Sequence, residues 1–131
     1  MSISATAWPQ AITAITLFTE DLAVTKQFYQ EIFGLPVVFE DDASAVFNFG
    51  NTLINLLSIT AVPELITPAA FAAANAGSRN VLTITVDDVD ATCAVLKTRG
   101  VTLLNGPMNR PWGIRTASFK DPSGQIWEIA K

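Results

Sequence analysis

The feature that most constrains this chain of 131 residues is a pattern that occurs twice. Residues 17–22, LFTEDL, and residues 84–89, ITVDDV, are each a strand-like run that ends in two acidic residues and an aliphatic one. A helical spacing of apolar residues follows each run, and Gly34 and Gly100 end the two helices. A repeat of this kind within the length of one domain predicts two similar halves.

The two predicted helices share the same start and the same kind of buried face. Asp21 and Asp88 stand where a helix N-cap is expected, and aspartate is among the residues preferred there. The residues spaced to lie on one face are Leu22, Thr25, Tyr29 and Ile32 in the first helix, and Val89, Cys93 and Leu96 in the second.

Three further strands are predicted after each helix. They cover Pro36–Glu40, Ala45–Phe49 and Leu53–Ile59 in the first half, and Val101–Leu104, Arg115–Lys120 and Gln125–Ile129 in the second. The modules therefore span about 10–60 and 79–131 of a single domain, 1–131, with a linker of about 61–78 in which a short helix begins at Thr67-Pro68 and ends at Gly77. The predicted fold class is α+β: two paired β-α-β-β-β modules that form a curled mixed sheet cup with the helices outside.

Composition excludes several classes of function. The sequence contains no histidine, which removes the most common general base and the most common metal ligand. Its formal net charge of −4 disfavours nucleic acid, and no apolar run is long enough for a transmembrane helix. A single cysteine, Cys93, predicts no internal disulfide. Because the N-terminal stretch also lacks the basic region of a signal peptide, we expect a cytoplasmic protein without nucleic-acid or membrane partners.

Three blocks of this sequence resemble the vicinal oxygen chelate superfamily, which includes glyoxalases, bleomycin resistance proteins and extradiol dioxygenases. The blocks are Ala14–Leu22 continued by Phe28-Tyr29 and Phe33-Gly34-Leu35, then Val86–Asp90, and finally Phe119–Glu128 with its DPSG turn. In their order and spacing they cover nearly the whole chain. The resemblance implies the paired-module fold, but that fold carries lyases, dioxygenases, epimerases, thiol transferases and plain drug binders.

The resemblance also implies where a metal would be held. Enzymes of this superfamily use His, Gln or Glu from four equivalent strand positions, which correspond here to Ala14, Asn55, Val81 and Glu128. Alanine and valine cannot coordinate a metal, and one carboxylate with one neutral amide is a poor set of ligands for a divalent ion. We therefore expect no metal, no other cofactor and no catalytic residues of the usual family type.

Without the metal, the predicted function is the binding of a small molecule. The candidate ligand-binding residues are Trp112, Glu128, Asn55, Phe47, Phe49, Arg115 and Phe119. Trp112 could stack on a planar or cationic ligand, and Arg110 or Arg115 could pair with a carboxylate or phosphate. Each residue also has a purely structural interpretation: the phenylalanines as core, the arginines as solvated, and Glu128 as hydrogen-bonded to Asn55 or to a nearby threonine.

The sequence thus predicts a metal-independent protein, closest to the bleomycin-resistance-like binding proteins, that sequesters a small and partly aromatic molecule such as an antibiotic. A homodimer is expected because half of the residues are hydrophobic, which fits a buried subunit interface, and because many relatives complete their cups between two chains. The alternatives are a superfamily lyase or dioxygenase with an atypical or absent metal site, and a non-binding dimeric relative whose cup is filled by its own side chains.

Overall fold

The computed structural model describes residues 8–131, and its elements follow the repeat. The first half consists of β1 (Ala14–Thr19), α1 (Leu22–Ile32), β2 (Val37–Glu40), β3 (Ser44–Asn48) and β4 (Leu53–Ser58). The linker contains α2 (Val62–Ile66) and a single 3₁₀ turn (Ala74–Ala76). The second half consists of β5 (Leu82–Thr85), α3 (Val89–Thr98), β6 (Leu103–Asn109), β7 (Arg115–Lys120) and β8 (Ile126–Ala130). The predicted α+β class and the β-α-β-β-β order of both halves are confirmed.

Both long helices begin at the predicted caps. The carboxylate of Asp21 accepts a hydrogen bond from the Val24 amide at 3.2 Å, and that of Asp88 accepts one from the Ala91 amide at 3.0 Å. These bonds satisfy amide groups that have no partner within the first turn of a helix. The buried residues of α1 are Thr25, Tyr29 and Ile32, and those of α3 are Val89, Cys93 and Leu96, as their spacing predicts. Leu22, on the same predicted face of α1, is partly buried.

Each half folds into its own four-stranded mixed sheet. The strand orders are β1-β4-β3-β2 and β5-β8-β7-β6, in which the first and last strands of each half pair in parallel and the other pairs are antiparallel. The register is equivalent in the two halves, since Thr16 lies opposite Asn55 and Thr83 lies opposite Glu128. The strands β1 and β5 therefore each have a hydrogen-bonded neighbour on one side only.

The two halves meet through the faces of the sheets that the helices cover. Tyr29 of α1 packs against Phe47 of the first sheet at a ring-centroid distance of 5.4 Å and against Trp127 of the second at 6.1 Å. Its hydroxyl donates to the carboxylate of Asp121 at 2.7 Å and accepts from the indole N–H of Trp127 at 3.0 Å. One continuous apolar core results. Within one chain α1 thus contacts both sheets, and the eight strands form two four-stranded sheets.

The linker differs from the sequence-based expectation. Its helix lies at Val62–Ile66 and not after Thr67-Pro68, because Pro63 stands in the first turn of that helix and Thr67 already caps its C-terminus. Strand β6 is also longer than predicted and extends from Leu103 to Asn109. Gly106 interrupts its pairing with β7 by a bulge, where a Cβ atom would come within 2.5 Å of a backbone oxygen of β7.

Candidate functional site

The candidate site lies on the sheet faces that the helices do not cover, which we call the open faces. Side chains alternate along a strand, so the residues between the core residues point to the open face. The open face of the first sheet carries Thr16, Phe18, Val46, Asn55 and Leu57, and that of the second carries Thr83, Thr116, Ser118, Ile126 and Glu128. Since both helix-covered faces belong to the shared core, the two open faces lie on the outer sides of the chain.

Each open face has one polar pair at its centre, in the same register. The Thr83 hydroxyl donates to Glu128 Oε1 at 2.9 Å, and the Asn55 amide donates from Nδ2 to Thr16 Oγ1 at 3.4 Å. The predicted hydrogen bond of Glu128 thus goes to a threonine of its own sheet and not to Asn55. Asn55 Oδ1 is buried and accepts no hydrogen bond from residues 8–131. An unpaired buried acceptor is costly, which makes this amide ready to accept from an added donor.

The residues at the four metal-equivalent positions do not fit a divalent metal ion. Ala14 and Val81 contribute no donor atom, and Asn55 turns its amide nitrogen toward Thr16. Glu128 alone supplies a charged oxygen. Among the described residues, no group of three or more His, Cys, Asp and Glu side chains is close enough together to hold a metal.

At the end of the second open face, Trp112 and Arg110 lie in the turn between β6 and β7. Trp112 is 66% exposed, and the guanidinium carbon of Arg110 lies 5.9 Å from the centre of its ring. Arg110 Nε donates to Thr116 Oγ1 at 2.8 Å, and Nη2 donates to Asn105 Oδ1 at 3.3 Å. Gly113, with φ of 96°, allows the tight turn that brings these two side chains to the open face.

Three of the predicted site residues belong to the core instead of the open faces. Phe47 and Phe119 are both 0% exposed, because alternation places them on the helix-covered sides of β3 and β7. Phe49 stacks on Trp127 at 5.1 Å and lines an apolar cavity of about 300 Å³ between the two halves. These rings stabilise the contact between the halves and lie on the side of the sheets opposite to Asn55 and Glu128.

Arg115 is also placed away from the open face. Its guanidinium donates twice to the carboxylate of Asp90 on α3, at 3.0 and 2.8 Å, and once to Asn109. This bidentate ion pair links β7 to α3 and lowers the pKa of Asp90, mainly through the hydrogen bonds from Arg115. Arg115 thus has a structural partner for its charge.

Two residues hold Arg110 that were not predicted as site residues, Thr116 and Asn105. A usable signal was present, because alternation along Arg115–Lys120 places Thr116 and Ser118 on the same face as Glu128. For Asn105 no such signal existed, since the bulge at Gly106 shifts the register of β6.

In the part of the chain that the structure describes, no helix is long and apolar enough to cross a membrane.

Comparison with known proteins gives a consistent result over the whole fold. The model of the glyoxalase/bleomycin resistance protein/dioxygenase superfamily matches residues 11–129. The uncharacterized protein YraH of Bacillus subtilis (strain 168) is 33% identical over 121 residues, which are 89% of this chain and 94% of that protein.

Two solved structures are similar to this chain along nearly its full length. A glyoxalase/bleomycin resistance protein/dioxygenase from Nocardioides has a TM-score of 0.85 at 24% identity, covering 97% of this chain and 86% of its own. A glyoxalase-related enzyme from Fulvimarina pelagi has a TM-score of 0.79 at 27% identity, covering 93% of this chain and 88% of its own. The similarity therefore extends over both modules and the linker.

Proposed function

Because the chain belongs to the glyoxalase/bleomycin resistance protein/dioxygenase superfamily, we propose that it binds a small, partly aromatic molecule in a cup between open faces, without a metal. The observation that carries this proposal is the matched pair of polar sites, Thr16–Asn55 and Thr83–Glu128, at equivalent positions on the two open faces, the first of which is otherwise largely apolar. Pockets for small molecules typically combine apolar walls with a few polar groups that orient the ligand. Sequestration of an antibiotic is one form that this function can take.

The cup is proposed to form between two chains. The helix-covered faces of both sheets join in one core, so the polar pairs at Asn55 and Glu128 lie on faces directed away from that core. Strands β1 and β5 are both sheet edges, and an edge strand can pair with a strand of another chain. In a homodimer, β1 of one copy beside β5 of the other joins the first open face of one chain to the second open face of its partner. Asn55 and Glu128 of different copies then face the same ligand.

The first experiment is a thermal-shift titration of protein treated with chelator, against bleomycin and a set of small cationic antibiotics. At a ligand concentration one hundred times Kd, binding adds about 2.7 kcal/mol of stability, or roughly 10 °C in Tm for a chain of this length. A saturable shift supports metal-independent binding. Trp112→Ala is expected to weaken that binding without lowering the Tm of the free protein, because this side chain is mostly exposed.

The same preparation separates the alternatives. Elemental analysis of protein purified without chelator tests the superfamily-enzyme alternative. This alternative is worth testing because the similar protein from Fulvimarina pelagi is described as a glyoxalase-related enzyme. One equivalent of tightly bound metal per chain contradicts the proposal. The absence of a shift with every compound favours the filled-cup alternative.

A mixed-dimer experiment tests where the cup forms. Asn55→Arg fills the first open face with a large charged side chain, and Trp112→Ala impairs the second. If the cup lies between two chains, each variant alone binds poorly, while a heterodimer of the two contains one intact cup and recovers about half of the binding sites. If the cup lies within one chain, mixing the variants recovers none. Light scattering on the same samples gives the oligomeric state.

A further inference from the structure

Among the described residues, Arg110 is the guanidinium that hydrogen bonds fix on an open face. Two neutral side chains, Thr116 and Asn105, accept from its Nε and Nη2, so its position is held while its positive charge is retained. Thr116 is 0% exposed although it lies on the open face, consistent with Arg110 covering it. An arginine held in this way loses little side-chain entropy when a further partner binds.

The charge of Arg110 has no carboxylate partner within residues 8–131. The two ion pairs of this region are Lys26–Glu40 and Arg115–Asp90. Of the five N–H groups of Arg110, two are used in the hydrogen bonds to Thr116 and Asn105, and the other three donate to no described acceptor. A planar guanidinium with free N–H groups matches the geometry of a carboxylate, which it can bind through two parallel hydrogen bonds.

Trp112 places a flat apolar surface directly beside this cation. The residue is 66% exposed, and the guanidinium carbon of Arg110 lies over its ring at 5.9 Å from the ring centroid. Exposure of a large aromatic side chain next to an unpaired arginine is typical of a binding surface, because the ring gains area when a planar group stacks on it. The pair can therefore contact two parts of one ligand at the same time, a charged group and a ring.

We infer that Arg110 and Trp112 form a subsite for the carboxylate of an aromatic carboxylic acid, with the acid paired to Arg110 and the ring stacked on Trp112. This inference rests on the proposed function and names a class of ligand for the same cup. It also separates the roles of the two arginines near this turn: Arg110 binds the ligand, whereas Arg115 joins β7 to α3.

The test compares 2-naphthoate with 2-naphthamide, which has nearly the same shape and no charge. Binding is followed by chemical-shift titration of the indole N–H of Trp112 in the full chain. We expect 2-naphthoate to bind at least tenfold more tightly than the amide, and Arg110→Gln to remove that preference while leaving the affinity for the amide within about twofold. Arg110→Lys keeps the positive charge but lacks the planar guanidinium, so it is expected to retain only part of the preference for 2-naphthoate over the amide.

Arg79→Gln is the matched control, because it removes the same charge from a residue just before β5, in a pocket that neither Arg110 nor Trp112 lines. It is expected to leave the preference for the carboxylate unchanged. Since the ratio of the affinities for 2-naphthoate and 2-naphthamide is measured within each variant, a general loss of stability changes both affinities alike and does not change the ratio.

Two results overturn the inference: equal affinity for both compounds in the unchanged protein, or an equal loss of preference in the Arg79 and Arg110 variants. If antibiotics or other compounds still give a saturable thermal shift, the proposed binding function survives and only the acid subsite fails. If no compound binds in either assay, both proposals fail together.

Discussion

The hydroxyl of Tyr29 links the two halves, and its removal gives a direct measure of how strongly they depend on each other. Tyr29 is 0% exposed, and its hydroxyl is bonded to Asp121 and Trp127, both of which belong to the second half. Tyr29→Phe keeps the ring in the core but removes both hydrogen bonds. It leaves the indole N–H of Trp127 without its acceptor and one carboxylate oxygen of Asp121 without its donor.

The expected cost follows from these two losses. A hydrogen bond to a charged group contributes about 1.5–3 kcal/mol, and a buried donor left without a partner costs about 1–3 kcal/mol. Because the phenyl ring stays packed, we expect a decrease of about 3 kcal/mol in the free energy of unfolding. With an unfolding entropy of about 2.1 cal/mol/K per residue, this corresponds to a decrease of roughly 10 °C in Tm.

The assay is urea unfolding at neutral pH, followed by tryptophan fluorescence, together with a thermal melt. Gln30→Ala, on the exposed side of the same helix, is the control and is expected to change stability by less than about 0.5 kcal/mol. A Tyr29→Phe variant that loses less than about 1 kcal/mol refutes the reasoning, because the hydroxyl then contributes no more than an exposed one.

The same residue predicts a dependence on alkaline pH. Burial, followed by the negative charge of Asp121, raises the pKa of the Tyr29 phenol far above its ordinary value of 10.0. The folded state therefore keeps the proton, while the unfolded chain loses it above about pH 10. The contribution is fully present below that pH and decreases as the pH rises further, so the stability difference between the unchanged protein and Tyr29→Phe should shrink above about pH 10.

Three further predictions concern other parts of the fold. In urea unfolding, Gly106→Ala is expected to destabilise the protein by more than Gly100→Ala. Both glycines have positive φ, which costs alanine about 1–2 kcal/mol at either position. Of these two positions, only Gly106 has the facing strand within contact distance of an added Cβ atom. Equal losses contradict the bulge geometry. Cys93 is expected to react with iodoacetamide at pH 8 much more slowly in the folded than in the urea-unfolded protein, because burial raises the pKa of its thiol; similar rates contradict its placement. Asp90→Asn is expected to cause a small loss of Tm that added salt diminishes, since its partner Arg115 is partly solvent-accessible. In the unchanged protein the stability contributed by this ion pair disappears as the pH falls below the usual aspartate range, because the pKa of Asp90 is lowered in the folded state. A loss of Tm that does not depend on salt contradicts an ion pair.

Much of the fold follows from local patterns in the sequence. The repeat predicts two β-α-β-β-β halves, and the capping aspartates and the glycines that follow place both long helices correctly. These features depend on neighbouring residues only, which is why a sequence reveals them. The predicted start of the linker helix is wrong, because Pro63 and Pro68 are both acceptable in the first turn of a helix, and the threonine before Pro68 made it the stronger local signal.

The candidate site was predictable in part. The equivalence of Asn55 and Glu128 follows from the repeat, and the strand register confirms it. The roles of the aromatic and cationic residues were not predictable in this way. Alternation shows that Phe47 and Phe119 lie on one face of their sheets, but it does not show which face the helices cover. Likewise, the choice between Arg110 and Arg115 depends on Asp90, which lies on an element distant in sequence.

The residues themselves thus determine the two halves, their helices, and the absence of metal-ligating side chains at Ala14 and Val81, because each of these depends on residue type or on local spacing. The tertiary structure decides how the halves meet. The aromatic rings of α1 are buried against both sheets, and the Tyr29 hydroxyl satisfies Asp121 and Trp127 of the second half. That packing turns both open faces outward, and it leaves Arg110 and Trp112 beside each other on one of them.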